Sequence, residues 1–177
     1  MTVETLKADS GDRPLSLCQL IYDSRALTGA ASGLQMSGIL AEARPANARD
    51  GVTGVLTAVD GRFIQIIEGP PEAIDRLLVR LSKDRRHTDL AVRERRGATR
   101  RLFADWDMVS PRLAPLEMAA LARLLTDPRR GIDDFARVLA RAVAHQEAVL
   151  EGRRARPAPE LGRVGPGPGL LSEDSGV

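Results

Sequence analysis

Val52-Thr-Gly-Val-Leu-Thr-Ala-Val59-Asp60-Gly61-Arg62-Phe-Ile-Gln-Ile-Ile67-Glu68 is the stretch that decides the architecture of this chain. Two runs rich in β-branched and aliphatic residues, Val52 to Val59 and Arg62 to Ile67, flank an Asp-Gly pair. Such a pair supplies the positive φ angles of a type I′ turn, whose twist matches that of two hairpin strands. In the second run Phe63 and Ile67 fall on one face, and Ile64 and Ile66 on the other. A strand apolar on both faces is central and covered on both sides. Gln65 therefore sits on a buried face between Phe63 and Ile67, and its amide needs partners.

Working outward, Leu17 to Asp23 is a short apolar run bounded by polar residues, which predicts a buried strand. Period 2 puts Cys18, Leu20, Tyr22 and Ser24 on one of its faces. Ser32-Gly-Leu-Gln35 has the form of a capping box. Met36, Ile39, Leu40 and Ala43 follow at helical spacing, predicting a helix that Pro45 ends at about Arg44. Pro70, Pro71 and Glu72 suit the first turn of a second helix, with a core stripe of Ile74, Leu77, Leu78 and Leu81. Leu90 to Glu94 and Leu102 to Val109 read as the fourth and fifth strands. The order βαββαββ predicts an α+β, ferredoxin-like sandwich: a five-stranded mixed sheet, mostly antiparallel, with two helices on one face.

Two further helices are expected at Pro115 to Leu125 and Ile132 to about Leu150, covering the sheet's other face or serving as a dimer contact. The chain thus divides into a flexible leader over 1–15, a core domain over 16–110, helices over 111–151, and a tail over 152–177. The tail holds six Gly and four Pro, too few apolar groups to offset ordering entropy, and is expected to be disordered.

Composition narrows the function. Twenty-six Lys and Arg oppose 24 Asp and Glu, with one Trp, one Tyr and three Phe in 177 residues. No basic stripe with interleaved aromatics is present, so direct nucleic-acid binding is not expected. One cysteine, Cys18, rules out an internal disulfide and every multi-cysteine metal framework. His87 and His145 lie far apart without ligand spacing, so no metal site is expected. Neither a signal peptide nor an apolar run of about 20 residues is present, predicting a cytoplasmic chain without a membrane anchor. The G-x-S-x-G, P-loop and G-x-G-x-x-G patterns are missing as well. What remains is a set of polar and redox-capable side chains inside strands. Tyr22 and Gln65 each require a hydrogen-bond partner if buried, at a cost of roughly 1–3 kcal/mol if unpaired. They pair with each other or with a polar ligand between sheet and helices.

Five ordered motifs carry a resemblance. Leu20-Ile-Tyr22-Asp-Ser24 resembles the first strand of the BLUF family of flavin-binding photoreceptors. Asn47-Ala-Arg-Asp-Gly51-Val-Thr-Gly54 is similar to that family's Asn followed by G-[IV]-T-G, and Phe63-Ile-Gln65-Ile-Ile-Glu68-Gly69 to its F-x-Q-x-[LI]-E-G. Asp84-Arg-Arg-His87 resembles D-x-R-H, and Phe103-Ala-Asp-Trp106-Asp-Met108 resembles F-x-D-W-x-M. The spacings agree: 18 residues from Asn47 to Gln65, then 41 to Trp106 and 43 to Met108. Ala46 departs from the polar or stacking residue often found there, which implies one ring contact fewer.

The resemblance implies a blue-light receptor of the short type. FAD, or alternatively FMN, would lie between the two helices, held by Asn47, Gln65 and Tyr22, with Arg86 and His87 near its ribityl or phosphate end. Tyr22 and Gln65 would form the photoactive pair, and Trp106 and Met108, on one strand face by parity, would sense its rearrangement. Output would go through a homodimer or larger homo-oligomer and a downstream signalling protein, without enzymatic activity. Singly, each residue has a plainer reading: Tyr22, Trp106 and Met108 as packing, Asn47 as a turn residue, His87 as a solvated helix-end charge. The ordered set outweighs those readings. The alternatives are a light-insensitive binding module of the same fold, or an enzyme such as a flavin reductase or an acylphosphatase-like hydrolase, for which no acid–base set is found.

Overall fold

The computed structural model describes residues 17–27, 29 and 32–154. The expected leader and the tail beyond Arg154 lie outside these residues. Eight elements succeed one another: β1 (Leu17–Ala26), α1 (Gly33–Arg49), β2 (Thr53–Val59), β3 (Arg62–Gly69), α2 (Pro71–Leu81), β4 (His87–Ala98), α3 (Pro115–Thr126) and α4 (Ile132–Arg154).

The Asp60–Gly61 turn forms as expected, with φ of 50° and 72°, and it zips β2 against β3 from Val59↔Arg62 to Thr53↔Glu68. β3 then pairs with β1, and β1 with β4, giving the order β2-β3-β1-β4. All three pairings are antiparallel. β1 and β3 are the inner strands and are almost wholly buried. Gly54 is required where β2 crosses its neighbour: a Cβ there would lie 2.1 Å from the Ile66 carbonyl oxygen, and φ is +153°.

The two faces divide as the alternation predicts. Cys18, Leu20, Tyr22, Phe63 and Ile67 pack with Met36 and Leu40 of α1 and Ile74 and Leu77 of α2. Ile21, Val55, Ile64 and Ile66 pack with Leu121 of α3 and Ile132, Phe135 and Leu139 of α4. The C-terminal helices thus cover the second face. Burying these aliphatic side chains, at roughly 1.5–3 kcal/mol each, is the main force holding the sandwich together.

Three expectations change. The sheet has four strands, not five: Leu102–Val109 contributes only an isolated parallel bridge, Val55↔Val109. Its amides are engaged elsewhere, since Leu102 and Phe103 donate to the Glu68 carboxylate and Trp106 to the Phe103 carbonyl. Met108 at φ +140° breaks the extended course as well. Next, Pro45 does not end α1, which continues to Arg49. Pro45 and Ala41, whose carbonyl loses its donor, are both on the exposed side, where water replaces the missing bond. Lastly, β4 runs from His87 to Ala98 because it pairs along all of β1, whatever its own polarity. It is an edge strand of alternating charge, the usual protection against edge-to-edge association.

Candidate functional site

Tyr22 and Gln65 are direct cross-strand partners on β1 and β3, so their side chains rise from the same face of the sheet. Tyr22 is 2% and Gln65 6% exposed. The Tyr22 hydroxyl donates to Gln65 Oε1, and Gln65 Nε2 lies 3.1 Å from Met108 Sδ. Tyrosine, glutamine and methionine thus form one buried chain. Burial first, and the Asp84 carboxylate second, hold the Tyr22 pKa well above the ordinary phenol value. The hydroxyl therefore keeps its proton throughout the neutral range.

Beside this chain, between α1, α2 and the sheet, is a cavity of about 440 Å³, within the range of small-molecule sites. Tyr22, Asn47, Gln65, Arg86, His87 and Met108 all line it. Asn47 is in the last turn of α1, buried to 2% exposure, and its Oδ1 has no hydrogen-bond partner. His87 opens β4 with its ring stacked against Tyr22, centroids 6.5 Å apart, and edge-on to Phe63 at 6.2 Å. Both of its ring nitrogens are buried without partners. Burial holds its pKa below the ordinary imidazole value, with the Arg86 charge assisting and Asp84 opposing. Arg86 is fastened to Asp84 at 2.5 Å and to Glu42 of α1 at 2.7 Å. Hydrogen bonding from Arg86 keeps Asp84 ionised, below its usual range.

Buried polar atoms without partners cost free energy unless a ligand satisfies them. Asn47 Oδ1 requires a donor, and the imidazole of His87 offers one donor and one acceptor. A flavin ring edge and its polar side chain, carrying both N–H and oxygen groups, suit these residues. Arg80 and Lys83, at and just after the end of α2, also line the cavity beside Glu42 and Asp84, and would meet the phosphates of FAD. Sequence reading does not single out Arg80 and Lys83; their position three and six residues after Leu77, a residue of the predicted core stripe, is the available signal.

Trp106 is not part of this set. Its indole packs on Phe103 at 5.7 Å, and its Nε1 donates to Glu147 of α4 at 3.0 Å, on the sheet's other face. Parity places Trp106 beside Met108 only for an extended strand, which this segment is not. Among the described residues no group of three His, Cys, Asp or Glu side chains is placed to hold a metal, and no helix is long and apolar enough to cross a membrane.

Comparison with known proteins agrees with this geometry. The family model for BLUF, sensors of blue-light using FAD, matches residues 17–109. The photoactivated adenylate cyclase subunit beta of Euglena gracilis is 35% identical over 96 residues, 54% of this chain and 11% of that protein. The corresponding subunit of Euglena longa matches to the same extent. This chain therefore spans about a ninth of the length of these curated relatives. Among solved structures, the dark state of the BLUF protein BlrB is 32% identical with a TM-score of 0.61, over 71% of this chain and 96% of that one. A bacterial light-regulated adenylyl cyclase is 26% identical with a TM-score of 0.55, over 77% of this chain and 36% of that one. The chain belongs to the BLUF family, sensors of blue light that use FAD.

Proposed function

We propose that this chain is a light-operated switch whose photoactive unit is Tyr22, Gln65 and Met108, and whose output is a change in protein contacts. The observation that carries the proposal is the buried chain from the Tyr22 hydroxyl through the Gln65 amide to Met108 Sδ, beside a cavity with unpaired Asn47 and His87 atoms. FAD, when bound, supplies absorption of blue light and an excited state able to accept an electron. Asn47 would hold the ring by accepting a hydrogen bond at Oδ1, which is buried without a partner. Arg80, Lys83 and Arg86, which line the cavity, would meet the phosphates, and His87 would meet the polar side chain of the flavin. Phe63, Leu56 and Leu77 supply apolar wall to the cavity.

Tyr22 is the sole tyrosine and carries its proton on a hydroxyl aimed at Gln65 Oε1. With FAD bound, Tyr22 would give up this proton together with an electron and take both back, so that Gln65 and the flavin would each end with the protons they began with. On its return the two ends of the amide exchange partners. Met108 Sδ then meets an oxygen in place of an N–H donor and loses its contact. A change of one hydrogen bond, about 1 kcal/mol, is of the order of typical allosteric couplings of roughly 1–3 kcal/mol. Met108 passes it to Val109, which is bonded to β2 through Gly54 and Leu56, and thence to α3 and α4. A homo-oligomer contact and a downstream protein would read it there. The cyclase activity named for the relatives belongs to those longer proteins; here signalling is proposed to act by contact.

The test is an absorption spectrum of the purified chain in darkness and after blue light, with Gln65→Leu beside it. The expected result is a flavin band that shifts reversibly to the red in the native chain and stays still in Gln65→Leu with flavin bound. An unaltered shift in Gln65→Leu overturns the mechanism. A chain that takes up no flavin supports the light-insensitive binding module instead.

A further inference from the structure

We propose that Glu68 is a positioning residue of the switch: its carboxylate fixes the start of the Phe103–Met108 segment and so sets how firmly Met108 is held against Gln65. This rests on the Tyr22–Gln65–Met108 reading. Glu68 is fully buried near the end of β3. Gln65 and Glu68 are three residues apart and so project to opposite faces of the strand. Glu68 touches nothing in the flavin cavity, and the photochemistry gives it no part.

Its partners belong instead to the segment after β4. Glu68 Oε1 accepts from the Leu102 amide at 2.7 Å, and Oε2 accepts from Leu102 at 3.0 Å and from Phe103 at 2.8 Å. Gln19 Nε2 donates to Oε1 at 2.6 Å. No cation pairs directly with this carboxylate among the described residues. One charge reaches it through Gln19, whose Oε1 accepts from Arg96, itself paired with Asp133 at the start of α4. A buried, cation-free carboxylate is a costly way to close a turn, sustained only by several N–H donors. A charged acceptor with two oxygens grips consecutive amides more tightly than a neutral side chain can.

The grip matters because Met108 lies on the same segment, five residues beyond Phe103. The segment is tied at its start by Glu68 and at its end by Arg44 Nε, which donates to the Met108 carbonyl at 3.2 Å. Between the ties, Met108 is held at φ +140°, a backbone region that non-glycine residues enter only when their surroundings compel it. Releasing the start of the segment lets Met108 relax and withdraws its sulfur from Gln65. Arg101 adds a second clamp at the same end, donating to the carbonyls of Glu68 and Gly51 and to Thr53 Oγ1.

Glu68→Gln, in the full flavin-loaded chain, keeps the size of the side chain and replaces one acceptor oxygen with a donor. The single Trp106, within the segment, reports its position through emission and quenching by acrylamide. Expected are bound flavin, a light-induced shift that still forms, dark recovery changed tenfold or more, and Trp106 quenching raised several-fold in the dark. Glu68→Asp, which keeps the charge at shorter reach, should restore part of both effects. A variant that is merely less stable, with native recovery and native quenching in its folded fraction, overturns the proposal. If Glu68→Gln does not fold, Arg101→Met must show the same two changes, and unchanged values there overturn it too. Should the native chain show no light shift, the photochemical reading fails by itself, and Trp106 quenching still decides whether Glu68 places the segment.

Discussion

Arg93→Met should unfasten the C-terminal helices from the sheet while leaving the photochemistry in place. Arg93 Nε donates to Asp23 Oδ1 at 2.5 Å, Nη2 to the Leu125 carbonyl at 2.8 Å and Nη1 to the Asp127 carbonyl at 3.2 Å. Its guanidinium carbon also lies 5.4 Å from the centroid of the Phe135 ring. One side chain thus joins β1 to the end of α3 and the face of α4. Asp23 is 2% exposed, and after the substitution only Arg62 would pair with it. Losing a charge-assisted bond costs roughly 1.5–3 kcal/mol, and two carbonyl bonds that water partly replaces add roughly 0.5–1.5 kcal/mol in all. Methionine retains the apolar stem, so the net loss should be about 3 kcal/mol, or roughly 6–12 °C in Tm. Urea denaturation followed by far-ultraviolet circular dichroism measures the loss. Hydrogen exchange should show it concentrated in α3 and the first half of α4. Asp23 points away from the face that carries Tyr22, so the light-induced spectral shift should persist. A loss below about 0.5 kcal/mol would refute the reasoning, because it would mean the buried carboxylate does not depend on Arg93.

Three further outcomes are expected. Gly54→Ala should disrupt β2–β3 pairing and yield little folded protein, because its Cβ would meet the Ile66 carbonyl oxygen at 2.1 Å; Gly61→Ala, whose Cβ meets nothing within 4 Å, should cost only about 1 kcal/mol, and equal effects in denaturation would contradict this. The folded state depresses the pKa of His87, so the unfolded chain binds more protons just below pH 6.5, the usual imidazole value. Stability from this group is complete above that pH and falls as pH drops through the window below it; a pH series of denaturation midpoints should lose that slope in His87→Phe, whereas the ionised Asp84 acts at lower pH. Trp106→Phe should keep the light-induced absorption shift, since the indole is outside the cavity, and abolition of the shift would place it in the photoactive unit instead.

Much of the site is legible in the sequence alone. The alternation in β1 and β3 places Tyr22 and Gln65 on the same covered face, and pairing of the strands makes them neighbours. Asn47, the adjacent Arg86 and His87, and Met108 come from three separate stretches, and only the ordered motifs join them. Trp106 shows the limit. Parity is sound within a strand, yet no local signal says whether a segment will find an edge to pair with. Glu68 shows it too: the residue is visible within a motif, but a carboxylate acquires a role only through the amides it meets, here 34 and 35 residues away.

The sequence by itself determined the elements whose signals are short-range: the Asp60–Gly61 turn, the doubly apolar β3, the stripe of α2, and the division of side chains between two faces. These arise from φ preferences and periodicity, which act over a few residues. Only the tertiary structure decided that α1 passes through Pro45, that β4 extends along the whole of β1, that Leu102–Val109 is no strand, and that Met108 enters the site while Trp106 turns to α4. Each of those outcomes rests on competition for backbone donors and acceptors between residues distant in the chain. Which partner wins is a matter of proximity in space, which the folded sheet and helices create.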